Sequence, residues 1–396
     1  MQPDRERNRQ EETNMGKTDT NDNEKLKICM LGHKRVPSRE GGIEIVVEEL
    51  AARMAALGHS VVCYNRSGHH VGGREFDSGY IGEYKGIQLR DVFTIDKKGL
   101  AAVSSSFFGC LAAGLGSYDV VHIHAEGPAA FCWIPRLFGK RVILTVHGLD
   151  WQREKWQGGF GSTYIHFGER MGVRWAHEII VLSEGVRRYF QETYGRRTRY
   201  IPNGVTRPVF LEPNLILTKI GVEKNSYILY LGRIVPEKGI HYLIEAFLKV
   251  RTEKKLVIAG GSSDTGEYLE RLKQMAAKDN RVVFTGFVQG QMLQELYSNA
   301  YFYTLPSDLE GMPLSLLEAM SYGNCCLVSD IEECTAVVED KAMVFMRGAI
   351  EDLREKMQIL CDDEEIILGY RRKAADFIGK KYNWEDIVRQ TLRLYR

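Results

Sequence analysis

The sequence predicts an α/β protein of two doubly wound, Rossmann-like lobes facing each other across a cleft. From residue 26 onward, short β-branched and apolar runs alternate with segments of helical period, which is the pattern of parallel βαβ units. A polar, proline-bearing stretch after Ile201-Pro202-Asn203-Gly204 interrupts the alternation once, and a second series of similar size follows. At 396 residues, the chain also exceeds the ~250–300 residues at which single cores stop growing.

The first 24 residues are polar and charge-rich and lack the apolar stretch of a secretory signal, so 1–24 reads as a disordered tail. Residues 25–204 make a first lobe with strands expected over 26–32, 60–65, 87–93, 119–124, 141–147 and 178–182. The helix over 43–57 is the clearest, since Ile43, Val46, Val47, Leu50, Met54 and Leu57 share one stripe and Gly58 closes it. Residues 205–225 read as a linker. The second lobe, 205–380, has strands expected over 227–232, 256–259, 282–285, 301–305, 325–328 and 343–346. Its helices are expected over 240–250, 267–277, 291–298, 314–322 and 350–360. Residues 381–396 supply a last helix able to cross back to the first lobe.

Composition narrows the class. With 44% hydrophobic and 27% charged residues and a net charge of +1, the chain reads as soluble and globular, with no call for nucleic acid as a partner. The stretch 100–115 is the least polar, but it falls short of the ~20 apolar residues that span a bilayer and reads as a buried helix. The eight cysteines show no repeated C-x-x-C spacing and read as reduced core thiols. Gly16-Lys17-Thr18 resembles the end of a P-loop, but Glu11 stands where a glycine is required. No G-x-G-x-x-G fingerprint exists, which argues against a nicotinamide enzyme.

In open parallel sheets, ligands bind beyond the carboxyl ends of the strands. Several candidates lie at such ends. Gly41-Gly42 opens the first long helix, where bare backbone amides can approach an anion or simply make a structural turn. Arg233 ends a strand and Lys238 follows it. Arg can grip phosphate oxygens as a fork and Lys can act as a point charge, the alternative being a solvated pair. In Glu310-Gly311-Met312-Pro313-Leu314, a tight turn enters a helix whose free amides face the cleft, with Glu318 one turn inside. Glu318 suits ribose hydroxyls and Glu310 suits sugar hydroxyls; a cap and a solvent-facing glutamate are the plainer alternative. His147 ends a strand, where it can meet a donor phosphate or sugar hydroxyl. His122 and His124 alternate within a strand and suit packing as well as ligand contact. No metal-binding spacing such as H-E-x-x-H occurs. Together these groups suit a sugar joined to a diphosphate.

These motifs in this order make the chain resemble a retaining glycosyltransferase of the family-four, two-Rossmann-lobe (GT-B) type, over nearly the whole span 26–384. The marks are Gly41-Gly42, His147-Gly148, Ile201-Pro202-Asn203-Gly204, Gly232-Arg233 with Lys238-Gly239, Phe284-x-Gly286 and the Glu310-to-Glu318 element. The opening His33-Lys-Arg-Val-Pro and the Val121-His-Ile-His-Ala-Glu126-Gly-Pro segment are similar to a bacterial branch, many of them rhamnosyltransferases, that builds capsular and cell-wall polysaccharide. Thr206 departs from the family's usual aspartate and receives no ligand role.

The resemblance implies a nucleotide-diphosphate sugar as donor and a glycan or lipid-linked acceptor, with no cofactor and no metal. It further implies that Arg233 and Lys238 clamp the diphosphate, Glu318 holds the ribose, Glu310 contacts the transferred sugar, Gly42 lies against the phosphates and His147 lines the reaction centre. The setting would be cytoplasmic, at the inner face of the cell membrane. The segment Trp151, Arg153, Lys155, Trp156 with Gly158 to Gly161 reads as a mobile loop for acceptor or membrane contact, or as a solvated loop. Competing classes are a sugar-nucleotide epimerase of the same fold and a non-catalytic sugar-binding protein.

Overall fold

The structure, a computed structural model, describes residues 24–68, 82–97, 99–152, 159–261 and 266–396. Residues 1–23 of the expected tail lie outside the described residues. In chain order the first lobe runs β1 (Lys27–Leu31), α1 (Gly42–Ala56), β2 (Ser60–Arg66), β3 (Glu83–Tyr84), β4 (Ile87–Val92), α2 (Leu100–Leu115), β5 (Val120–His124), α3 (Trp133–Leu137), β6 (Arg141–Val146), α4 (Gly159–Trp175), β7 (Glu178–Val181), α5 (Glu184–Tyr194) and β8 (Arg199–Tyr200). After α6 (Asn214–Ile220), the second lobe runs β9 (Tyr227–Leu231), α7 (Ile240–Phe247), β10 (Lys255–Ala259), α8 (Gly266–Ala276), β11 (Val282–Gly286), α9 (Gly290–Asn299), β12 (Phe302–Leu305), α10 (Leu314–Ser321), β13 (Cys326–Ser329), α11 (Glu332–Val338), β14 (Met343–Phe345), α12 (Ile350–Asp362) and α13 (Glu364–Lys381). The helix α14 (Trp384–Leu394) closes the chain.

The two sheets have the order β3-β4-β2-β1-β5-β6-β7-β8 and β11-β10-β9-β12-β13-β14. Every described strand pair is parallel except β3 with β4. The expected pair of doubly wound lobes is therefore present. Strand alternation sends Ile28 and Met30 to one face of the first sheet and Cys29 and Leu31 to the other, so each face has its own core. The second lobe has one continuous core.

Three expectations need correction. The helix over 100–115 forms, but it is not a buried apolar rod: Ser104, Ser105, Ser106, Gly109 and Cys110 face inward, while Leu100, Phe107 and Leu115 are exposed. Residues 159–161 are the first turn of α4, not loop. The stretch 205–225 contains α6, whose first amides are capped by the buried Glu295 carboxylate (Leu215 N–H at 2.6 Å, Ile216 N–H at 3.1 Å).

The helix α14 packs on α1 of the first lobe. The Asn383 side chain caps it, accepting from the Glu385 amide at 2.7 Å. Trp384 is 2% exposed and packs against Gly204, where a Cβ would come within 2.4 Å of the indole. At the far end the Tyr395 hydroxyl meets His122 Nδ1 at 2.6 Å. Trp384→Ala should therefore cost about 3–5 kcal/mol of stability, read as a lowered midpoint in chemical denaturation. An unchanged midpoint would show that this seam carries no packing energy.

Candidate active site

Each sheet reverses its winding direction once, between β1 and β5 in the first lobe and between β9 and β12 in the second. A crevice opens beyond the carboxyl ends at such points. The first-lobe side chains at these ends are His33, His124 and His147. Those of the second lobe are Arg233 and the segment from Ser307 to Glu310.

In the second lobe, β9 leads into Arg233, whose carbonyl accepts from the buried Tyr230 hydroxyl at 2.9 Å. A 3-10 turn, Pro236–Lys238, then delivers Lys238 and ends at Gly239 in the left-handed region (φ 65°). A side chain at Gly239 would meet the Pro306 carbonyl at 2.0 Å, so the two strand-end loops can touch only with glycine there. They are tied by the Asp308 N–H to the Glu237 carbonyl at 2.9 Å. Across this junction the Lys238 ammonium pairs with Glu310 Oε1, which also accepts from Ser307 Oγ at 2.7 Å. The side chains of Lys238 and Glu310 are only 14% and 7% exposed. Expected cation and expected carboxylate thus hold each other.

Glu318 lies a turn into α10, where Tyr297 donates to its Oε2 at 3.0 Å and stacks on Tyr322. Enclosure of this carboxyl pushes its pKa up, while the Tyr297 hydrogen bond and Arg39 of the first lobe pull it down. No side chain caps α10, whose N-cap is Pro313. Its amide end carries the partial positive charge of a helix N-terminus.

In the first lobe, His147 follows β6, and its Nε2 lies 3.0 Å from Nδ1 of the buried His124. His122 is bonded to Tyr395 and, through Nε2, to Thr145 at 2.7 Å, which is a packing role. Burial lowers His122 to about 3 and His33 to about 4, and lowers His124 as well, so these rings are neutral near pH 7. In the His124–His147 pair one ring nitrogen donates and the other accepts.

The lobes meet at this place. A Cβ on Gly311 would stand 1.7 Å from the His147 carbonyl, and one on Gly148 would stand 3.1 Å from the Gly311 Cα. Beside this contact, Met312 Sδ accepts from the Asn203 amide at 3.0 Å. Gly42 faces Leu314 at a distance that would leave an added Cβ in ordinary contact, 3.4 Å. The N-termini of α1 and α10 therefore approach each other from opposite lobes. The structure thus brings Gly42, His147, Lys238, Glu310, Gly311, Met312 and Leu314 to one junction, with Glu318 a turn further into α10 and Arg233 just past β9 in the same lobe.

The acceptor expectations fare differently. Trp151 is packed between His166 and Tyr189, with ring centroids at 5.1 and 5.9 Å, rather than projecting from a loop. Arg153, Lys155 and Trp156 lie outside the described residues. The sequence reading also missed a carboxyl pair. Glu126 Oε2 accepts from the Asp150 amide at 2.9 Å, and Glu169 accepts from Tyr189 at 2.9 Å and from Tyr194. Both glutamates are fully buried, and Glu126 Oε1 and Glu169 Oε2 are left for each other. Burial first, then Asp150 and Glu169, raises Glu126 well above the usual carboxyl range, so it carries the shared proton. This pair braces the backbone just past His147-Gly148. The Glu126 in the His-Ala-Glu-Gly run was visible in sequence, but its partner lies on the distant helix α4. Among the described residues, no group of three or more His, Cys, Asp or Glu could hold a metal ion, and no helix is long and apolar enough to cross a membrane.

Comparison with known proteins fits this geometry. Residues 40–207 match Glycosyltransferase Family 4 and residues 217–384 match Glycosyl transferases group 1, one family for each lobe. The chain belongs to these two-lobed, GT-B glycosyltransferases. It is 26% identical to an uncharacterized glycosyltransferase of Methanocaldococcus jannaschii, over 94% of this chain and 98% of that protein. It is also 26% identical to the N,N'-diacetylbacillosaminyl-diphospho-undecaprenol alpha-1,3-N-acetylgalactosaminyltransferase of Campylobacter jejuni, over 91% of this chain and 93% of that one. In fold it is similar to Anabaena HepE in complex with UDP and glucose (TM-score 0.77, 16% identity, 93% and 98% covered). It is likewise similar to sucrose-phosphate synthase of Thermosynechococcus elongatus (TM-score 0.79, 21% identity, 94% and 98% covered).

The Gly311 contact gives a direct test. Gly311→Ala should force the lobes apart and lower kcat/KM by about a hundredfold or more, equivalent to ~3 kcal/mol, with little change in melting temperature. Undiminished turnover would mean that catalysis does not use this closed arrangement.

Proposed function

We propose that this glycosyltransferase moves a sugar, with rhamnose a candidate, from a nucleotide-diphosphate donor to a hydroxyl of a glycan or lipid-linked acceptor, with retention. We place the reaction in cell-surface polysaccharide synthesis at the inner face of the membrane. The observation that carries this reading is the meeting of the Lys238–Glu310 pair with two uncapped helix N-termini at Gly42 and Leu314, against the His124–His147 pair.

As the anomeric C–O bond breaks, negative charge grows on the departing diphosphate. Lys238, Arg233 and the amide ends of α1 and α10 would offset it without a metal, because fixed dipoles and cations act where charge develops. Glu310, freed from part of its hold on Lys238, would accept from the sugar hydroxyls. Glu318, braced by Tyr297, would accept from the ribose. Retention would follow from attack on the face the phosphate leaves, with the departing phosphate oxygen taking the acceptor's proton. The Campylobacter relative's name includes a diphospho-undecaprenol group, which supports a lipid-linked acceptor. The UDP in the Anabaena complex makes UDP-sugars the first donors to test. The rhamnose reading rests on the branch motifs around His33 and Glu126.

Glu318→Ala and Arg233→Ala should each lose at least about tenfold in UDP-sugar affinity or turnover, since each removes a charged partner of the ligand. Cys325→Ser, buried in the second-lobe core, should change neither by more than about twofold, because a small core thiol makes no ligand contact. Equal losses in all three would indicate general instability instead. Donor affinity should also depend on pH. Glu318 accepts ribose hydroxyls most strongly when ionised, and its pKa is raised, so affinity should fall as the pH drops through a midpoint above the ordinary carboxyl range. Calorimetric titration of Glu318→Gln should show a flat profile over the same window; matching profiles would remove Glu318 from the site.

A further inference from the structure

The end of β5 holds the loop after β6 at two points. His124 meets the His147 ring at 3.0 Å, and Glu126, two residues on, accepts from the Asp150 amide at 2.9 Å. Between those points lies Gly148, the residue that stands against Gly311 across the seam. One strand end thus fixes both flanks of the first-lobe segment that touches the second lobe. The backbone between the two holding side chains is strained. Ala125 has a φ of 79°, in the left-handed region that a residue with a Cβ rarely enters, and such strain persists only where the surroundings impose it.

The helix α4 is part of those surroundings. Gly168 packs on the Glu126 carbonyl so closely that a Cβ would stand 2.1 Å from it, and the next residue, Glu169, is hydrogen-bonded to the Glu126 carboxyl. Glu169 Oε1 accepts from Tyr194 and, at 2.9 Å, from Tyr189 of α5, and His166 Nδ1 stands 4.0 Å away. Asp150 faces Glu126 from the loop after β6, and Arg170 lies within electrostatic reach of Tyr194. Glu126 Oε1 and Glu169 Oε2 are buried and receive no N–H or O–H from any other described residue. A proton between the two carboxyls satisfies both oxygens, whereas two ionised groups there would repel each other. The protonated Glu126 then accepts from Asp150 with one oxygen and donates to Glu169 with the other.

We propose that Glu126, bridged to Glu169, is a positioning residue for sugar transfer, setting the loop from His147 to Asp150 so that Gly148 abuts Gly311 and His147 faces the reacting bond. This rests on the glycosyltransferase reading above and adds a residue that acts through the loop rather than on the substrate. The test compares wild type, Glu126→Gln and Glu126→Met as full chains, by hydrogen exchange over residues 147–152, by UDP affinity and by turnover of UDP-sugars. Glutamine keeps both bonds, its oxygen accepting from Asp150 and its amide donating to Glu169; methionine keeps the volume and loses both. Glu126→Met should speed exchange over 147–152 by at least about tenfold and lower kcat roughly a hundredfold, as small misplacements of reacting groups do, with UDP affinity unchanged. Glu126→Gln should match wild type in all three at neutral pH. The pH profiles should then separate the two. Burial first, then Asp150 and Glu169, raises the Glu126 pKa, so the bridging proton is present below that raised value and is lost as pH rises through it. Wild-type turnover should therefore fall on the alkaline side relative to Glu126→Gln, a comparison that stays informative should Glu126→Met misfold. Wild-type exchange or kcat in a folded Glu126→Met, a Glu126→Gln as impaired as Glu126→Met, or identical pH profiles for wild type and Glu126→Gln would overturn the proposal. A wild type that turns over no UDP-sugar would overturn the donor reading instead, with exchange still deciding whether Glu126 holds the loop.

Discussion

The arrangement depends on a backbone contact between the lobes that leaves no room for a side chain. Gly311 sits so close to the His147 carbonyl that any Cβ there would overlap it, and Gly148 faces it from the other side. With glycine at these positions, the carboxyl edges of two parallel sheets can abut. Everything placed at those edges, from the histidines of β5 and β6 to the loops after β9 and β12, is thereby gathered within a few residues of one seam. The seam is narrow, but the helix α14 ties it from outside by docking Trp384 and Tyr395 on the first lobe.

Within the seam, the Lys238–Glu310 pair is the energetic pivot. Two nearly buried charges cost desolvation that their mutual attraction only roughly offsets, so such a pair adds little to stability. The structure instead prearranges it: Ser307 donates to the same carboxylate oxygen, and Ser329 holds the Ser307 carbonyl at 2.6 Å. A ligand that brought negative charge to Lys238 and hydroxyls to Glu310 would satisfy both groups in place of each other. The first lobe contributes the opposite character, with the buried rings of His33 and His124 held neutral.

Much of this was legible in the sequence. Ile43 to Leu57 announced its helix by period, and the strand runs announced a parallel architecture because both of their faces are apolar. The strand-end positions of Arg233, Lys238, His147 and Glu310 followed from the same pattern. What stayed hidden depended on tertiary partners. Asn214–Ile220 is too short to read as a helix, and it stands because Glu295, eighty residues away, caps it. The inward serines of α2 ran against hydrophobicity, the only guide that sequence offers for that face. The Glu126–Glu169 pair joins a strand end to a distant helix. Tyr297, which braces Glu318, lies on α9 with no motif to mark it.

The most direct measurement is a crystal structure of the chain with a UDP-sugar that it hydrolyses or transfers. The diphosphate should lie between Arg233, Lys238 and the amide ends at Gly42 and Leu314, the ribose against Glu318, and the sugar between Glu310 and His147. A nucleotide bound on one lobe away from the Gly311 contact, with the Lys238–Glu310 pair undisturbed, would contradict the account.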